Sequence, residues 1–215
     1  MTVFYYRAAH VAAVATLAIF AACSSETPLA AGVTPLEANT APLPTLAGDP
    51  YPEVQATVTG TKSDYDWAHG QAYVKASPAA VWQALHDPEV VTDRHGTTSH
   101  SIKLNSEPAY SFSFRIDYHA GGVEWFEDWR YAVQAGSESA PEQAMIRSQK
   151  TDGTTFISLI EGEIAVRAVA GQSDVTLVQQ IAHIKSVGSN AQTAKKTLDD
   201  QYASLLAKVK GLPLP

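Results

Sequence analysis

Ten residues beginning at Tyr110 alternate without a break: Tyr110, Phe112, Phe114, Ile116 and Tyr118 interleave with Ser111, Ser113, Arg115, Asp117 and His119. A period of two with one face wholly apolar is a strand that turns that face to a core. Gly121-Gly122 follows, and adjacent glycines suit a two-residue hairpin turn whose central positions need positive φ. The return strand runs from Val123 to Tyr131. Folding about the glycine pair sets Tyr118 opposite Trp125, Ile116 opposite Glu127, Phe114 opposite Trp129 and Phe112 opposite Tyr131. On the other face Arg115 meets Asp128 and His119 meets Glu124. A slip of one residue would set charge against aromatic throughout, so the pattern itself specifies the register. Glu127 is the exception, a carboxylate on the aromatic face.

The elements around this hairpin follow from local signals. Gln71 to Ala76 reads as a strand, and Ser77-Pro78 after it pairs a favoured N-cap with a proline at the first helical position, so a helix is expected through Leu85. Asp87-Pro88 ends it, Pro88 to Asp93 suits a short helical turn, and Arg94 to Thr98 a loop. Trp82 and Leu85 are expected in the core beneath the helix. Further strands are expected at Gln143 to Lys150, Thr154 to Val169 with a bulge or bend at Gly162, and Asp174 to Lys185. The last element is a helix from about Ala191 to Lys210, capped by Ser189 or Asn190 and stopped by Gly211 and Pro213. It carries Ala191, Ala194, Leu198, Tyr202, Leu205 and Val209 on one face.

Strand, short helices, antiparallel meander and long terminal helix is the order of an α+β helix-grip fold. The run from Tyr73 to Pro88 (YVKASPAAVWQALHDP) resembles the opening of the START and Bet v 1-like superfamily, also called SRPBCC or polyketide cyclase-like, and the terminal amphipathic helix is similar to the one its sheet wraps around. Trp129, between Asp128 and Arg130, stands where lipid-binding START domains often carry an aromatic-flanked acidic and arginine pair. The resemblance covers Gln71 to Gly211. It implies a cavity between sheet and terminal helix, lined here by Tyr110, Phe112, Phe114, Ile116, Tyr118, Trp125, Glu127, Trp129 and Tyr131.

Such a wall suits a flat or elongated apolar ligand, lipid or sterol-like, oriented by tyrosine hydroxyls and one carboxylate. The inward aromatics are equally what a filled core would show. An inward Glu127 without a partner is costly to ionise, as in general acids and ligand-orienting groups, unless Arg147 or His183 pairs with it. Three functions therefore stay open: a non-catalytic binder of a hydrophobic molecule, which the residues favour; a cyclase-like or lyase-like enzyme using Glu127 as general acid or base; and a filled domain acting through protein contacts. No nucleophile motif, phosphate loop or nucleotide fingerprint is present, so no cofactor is expected. His95, His100 and Asp93 lack metal-ligand spacing, and no metal is expected either.

The N-terminal part speaks to location. Ala8 to Ala22 is apolar, preceded by Arg7, and shorter than the roughly 20 residues a membrane-spanning helix needs. It ends at Cys23, the single cysteine of the chain. Phe20-Ala21-Ala22-Cys23 resembles the lipobox of bacterial lipoproteins, with Phe20 where leucine is usual. That resemblance implies a signal peptide over residues 1–22 and a lipidated Cys23. With Ser24 and no Asp after the cysteine, it implies an outer-membrane lipoprotein held in the cell envelope by its acyl chains. Residues 23–66, with prolines at 28, 35, 42, 44, 50 and 52 and no apolar period, read as a tether. Tyr51 to Val58 as an edge strand or lid ranks second, because Pro50 and Pro52 lack amide donors. Residues 67–215 then form the one folded domain. A single cysteine excludes an internal disulfide, and a net charge of −7 argues against nucleic acid or anionic headgroups as partners.

Overall fold

The computed structural model describes residues 33–215, so the expected signal segment and Cys23 lie outside the described residues. Eight antiparallel strands form a single sheet: β1 (Gln55–Thr61), β2 (Asp66–Val74), β3 (Ser99–Leu104), β4 (Phe112–Ala120), β5 (Val123–Ser137), β6 (Ala140–Gly153), β7 (Ile157–Ala168) and β8 (Thr176–Ser186). Their order across the sheet is β1-β2-β8-β7-β6-β5-β4-β3. Among the described residues two helices, α1 (Pro78–Leu85) and α2 (Ala191–Val209), pack on its inner face, and a 3-10 turn spans Pro88–Val90. This is the helix-grip architecture.

The β4–β5 hairpin has the register its alternation demands. Tyr118 pairs with Trp125, Ile116 with Glu127, Phe114 with Trp129, Phe112 with Tyr131, and Arg115 with Asp128. Gly121 and Gly122 turn at φ +56° and +83°, both left-handed. Outside, the Arg115 guanidinium grips buried Asp128 through two bonds of 2.9 and 2.8 Å, and Thr151 adds a third at 2.8 Å. Arg130 turns to Glu107 rather than to Asp128, at 2.9 Å.

Both helices begin as their caps require. The Ser77 hydroxyl accepts from the Ala80 amide, and Asn190 accepts from Gln192 and Thr193 while Thr193 returns a bond to the Asn190 amide. α2 buries Ala194, Leu198, Tyr202 and Leu205, and the Tyr202 hydroxyl donates to the Tyr73 carbonyl at 2.9 Å. The packed interior divides in two. A large cluster gathers Val81, Trp82 and Leu85 of α1 with the aromatics of β4 and β5. A smaller one sets Ala194 and Leu198 of α2 against Ala68, Ala182 and Ile184.

Two expectations need correction, and one strand had none. Residues 33–66 are not a free tether. Val33, Ala41, Pro44 and Pro52 are buried, and Gln55–Thr61 is the edge strand β1, paired along its length with β2. Residues 33–41 form a strap across the outer face of the sheet, and its backbone is satisfied by side chains: Leu36 N–H donates to Glu163 at 2.7 Å, Thr40 N–H to His69 at 3.0 Å, and the Thr34 and Ala41 carbonyls accept from Arg147 and Gln71. A segment held through side chains needs no ladder, so prolines do not disqualify it.

Gly162 is not a bulge. It stays in register with Ser148 on one side and Ala182 on the other, and a Cβ there would stand 2.6 Å from the Ser148 hydroxyl. The register shift of β7 falls instead between Ile157 and Leu159. Finally, Ser99–Leu104, unassigned by its pattern, is the far edge strand β3.

Candidate functional site

Where the two core clusters fail to meet, a cavity of about 180 Å³ remains between sheet and α2. The hairpin lends it Tyr118, Trp125, Glu127 and Trp129; Ser148, Gly162, Ala182 and Ile184 continue the floor; Thr193, Thr197 and Gln201 of α2 form the roof. A second chamber of about 200 Å³ shares Val91, Asp93, Thr193, Thr197 and Gln201 with the first and continues to His95, Gly96, Lys196 and Asp200. His95 and Asp200 face each other at 3.4 Å between loop and helix. The presence of a cavity weighs against a filled domain.

The expected aromatic wall splits along its length. Tyr118, Trp125, Glu127 and Trp129 face the cavity. Phe112, Phe114, Ile116 and Tyr131 belong to the packed cluster around α1, where the Tyr131 hydroxyl donates to the Leu85 carbonyl at 2.7 Å and its ring lies 5.4 Å from Trp82. Tyr110 precedes β4, in a bend, with the Arg130 guanidinium 6.0 Å from its ring centre. Helix α1 fills one end of the grip, so the residues beneath it are core.

Glu127 is the chemical centre of the cavity. It is 7% exposed, its Oε1 accepts from the Trp125 indole N–H at 3.0 Å, and Oε2 has no partner among the described residues. Burial raises its pKa to about 7, the Trp125 bond opposing and the Asp93 charge adding to the rise. Neither proposed partner reaches it, because Arg147 and His183 project from the opposite face, where His183 contacts Glu161 and Glu37. Two residues along, the Trp129 indole N–H is buried and has no acceptor among the described residues, while its ring stacks on Phe114 at 5.8 Å. Tyr118 stacks on Trp125 at 5.0 Å, and its hydroxyl accepts from the Asp93 amide at 3.3 Å. Burial, then the Glu127 charge, raises the pKa of Tyr118 well above the usual phenol value, so it stays a neutral hydroxyl. A register shift in the β5–β6 pairing falls between Phe126 and Glu127, the kind of irregularity that re-aims one side chain.

The roof was not anticipated. Thr193, Thr197 and Gln201 are spaced four apart, a polar stripe on α2 beside its apolar one, and that spacing was legible in the sequence. The 91–96 loop carried no comparable signal.

No protein-family model matches the chain, and no curated protein matches it. Solved structures do. The human StarD13 (DLC2) lipid transfer and protein localization domain is similar with a TM-score of 0.50 at 8% identity, over 75% of this chain and 85% of that one. The STAR-related lipid transfer protein from Xanthomonas axonopodis gives 0.48 at 16% identity over 78% and 96%, and the Zhui aromatase/cyclase from Streptomyces sp. R1128 gives 0.42 at 13% over 74% and 93%.

Proposed function

From its START and Bet v 1-like helix-grip fold, we propose that this protein binds a hydrophobic small molecule in the cavity between sheet and α2, for local capture or hand-over at a membrane to which a lipidated Cys23 holds it. The observation that carries the reading is the buried Trp129 indole N–H, without an acceptor among the described residues, in the same recess as the Glu127 carboxyl, whose Oε1 alone is engaged by Trp125. An unpaired buried donor costs about 1–3 kcal/mol, and a ligand hydroxyl that accepts from the Trp129 N–H while donating to Glu127 would recover that. The name of the StarD13 domain includes lipid transfer, and sharing its fold supports the same class of ligand here.

Size narrows the class. A cavity of about 150 Å³ holds one benzene ring, so the inner chamber at about 180 Å³ accommodates a ring or a short stretch of chain. A longer molecule continues into the outer chamber past Thr197 and Gln201. The test is mass spectrometry of small molecules extracted from protein purified from its native membrane, with tryptophan fluorescence titrations of the same lipids. A co-purifying apolar hydroxyl compound is expected, bound about tenfold more weakly by Trp129→Phe, which keeps the stacking ring and deletes the donor. No extractable molecule and unchanged fluorescence would sink the reading. Anchoring has its own test: Cys23→Ser should move the protein from the outer-membrane fraction to the soluble one.

One observation favours a second reading, an enzyme. A carboxyl titrating at about 7 is suited to general acid or base work, with Tyr118 beside it. Under binding alone, Glu127→Gln weakens retention of ligand; under catalysis, it leaves ligand bound and unconverted.

A further inference from the structure

The outer face of the sheet, opposite the cavity, carries a second constellation. His69 on β2 and His183 on β8 are diagonal neighbours there, since His183 pairs with Trp67. Each is only 3% exposed because the strap lies over them. From the strap, Glu37 sets Oε1 2.8 Å from His69 Nε2 and 3.2 Å from His183 Nε2. Ligating atoms of all three residues lie within 4.8 Å of one another. The rings of Trp67 and Tyr65 hold the imidazoles of His69 and His183 from the side, at 4.7 and 4.4 Å.

Counting protons shows what this arrangement lacks. His69 Nδ1 accepts from the Thr40 amide, so its Nε2 carries the proton directed at Glu37. His183 Nδ1 lies 2.9 Å from Glu161 Oε1 and must donate to it. A neutral His183 then points the lone pair of Nε2 at the lone pairs of Glu37 Oε1 across 3.2 Å. Either a second proton or a cation has to fill that gap.

We propose that Glu37, His69 and His183 bind a divalent transition ion, zinc being the one their chemistry suits, and that this ion fastens the strap to the sheet. Two imidazoles and a carboxylate, with one position left to water, are a ligand set zinc accepts. Ligands about 2.0–2.1 Å from a tetrahedral ion stand about 3.3 Å apart. The His183 contact already meets that spacing, and the His69 contact has to open by about 0.5 Å. His69 must also shift its proton from Nε2 to Nδ1, where the Thr40 hydroxyl at 2.9 Å can accept it in place of the amide bond. Behind His183, Glu161 is the carboxylate that orients a metal-binding imidazole. Lys62, bonded to the other Glu37 oxygen at 2.6 Å, and Arg147, 3.7 Å from Glu161, balance the two carboxylates. Lys62 is half exposed and free to swing outward as the ion enters.

The test uses the full-length chain in detergent, stripped with a chelator and titrated with zinc against a chromophoric competitor, with cobalt as the spectroscopic probe. One equivalent per chain, visible cobalt bands of tetrahedral intensity and a raised thermal midpoint are expected. Glu37→Gln and His183→Gln should each weaken binding at least tenfold, Glu161→Gln should weaken it about tenfold or more, and His95→Gln should leave it unchanged. Glu37 is partly exposed, so its isosteric variant keeps the fold, which circular dichroism verifies, and the test does not depend on the buried histidine tolerating replacement. No stoichiometric uptake, or uptake indifferent to both Glu37→Gln and His183→Gln, would overturn the proposal and leave a proton between His183 and Glu37.

Discussion

A carboxyl that keeps its proton up to about pH 7 inside the protein releases it near 4.5 once the chain unfolds. The stabilising contribution of Glu127 is therefore complete below pH 4.5, falls as pH rises through that interval, and is gone above 7, a loss on the order of 3 kcal/mol. Glu37 runs the other way. Partial burial opposes its ionisation, but Lys62, His69 and His183 outweigh that and hold its pKa at about 2. Its contribution is present above pH 4.5 and lost as pH falls toward 2. Urea denaturation at a series of pH values should show the two slopes separately, and Glu127→Gln should abolish only the decline between pH 4.5 and 7. A decline that survives the substitution would mean Glu127 is solvated. At this scale the sequence identified Glu127 as anomalous, since one carboxylate interrupts an aromatic face. It did not reveal Arg147 and His183 as residues of the other face, because β6 has consecutive apolar residues from Ala144 to Ile146 and β8 is apolar on both sides, so the phase of each is ambiguous.

Elements defined by a contrast between two faces were legible, and those without one were not. The β4–β5 register was readable pair by pair because a slip would juxtapose charges and aromatics. Replacing Gly121 or Gly122 with alanine should cost about 1–2 kcal/mol each in thermal or urea unfolding, since both hold positive φ. β2 was placed too late, at Gln71 rather than Asp66, because the strap covers its outer side and α2 its inner side, so His69 to Val74 are all buried and do not alternate. The strap escaped detection for a related reason: it contributes single buried residues at irregular intervals, and its hydrogen bonds come from side chains far away in sequence. Asn190→Ala should remove the bonds its side chain accepts from the Gln192 and Thr193 amides, leaving the return bond from its own backbone N–H to Thr193, and lower stability by about 1 kcal/mol, read as a shift in the urea midpoint.

At the scale of the whole molecule, α1 and α2 divide the grip between them. α1 fills one end with Trp82 against Tyr131, and α2 leaves room at the other because Thr193, Thr197 and Gln201 stand where apolar side chains would close the gap. Thr197→Leu should fill part of that space, raising the unfolding midpoint while displacing ligand in the fluorescence titration. A gain in stability without loss of binding would put the ligand elsewhere. The family resemblance implied a cavity, but its extent depends on which residues lie beneath α1, and the alternation of a strand carries no information about that.

The strap has one more consequence. Because residues from Val33 onward are bound to the sheet, starting beside Arg147, the stretch that separates the proposed lipid site at Cys23 from the bound strap is not some forty residues but ten. Fully extended, that is at most about 35 Å. Under the proposed lipidation of Cys23, a leash so short would confine the domain to a thin layer over the membrane, where it would find ligands and partners by lateral diffusion rather than by long-range shuttling.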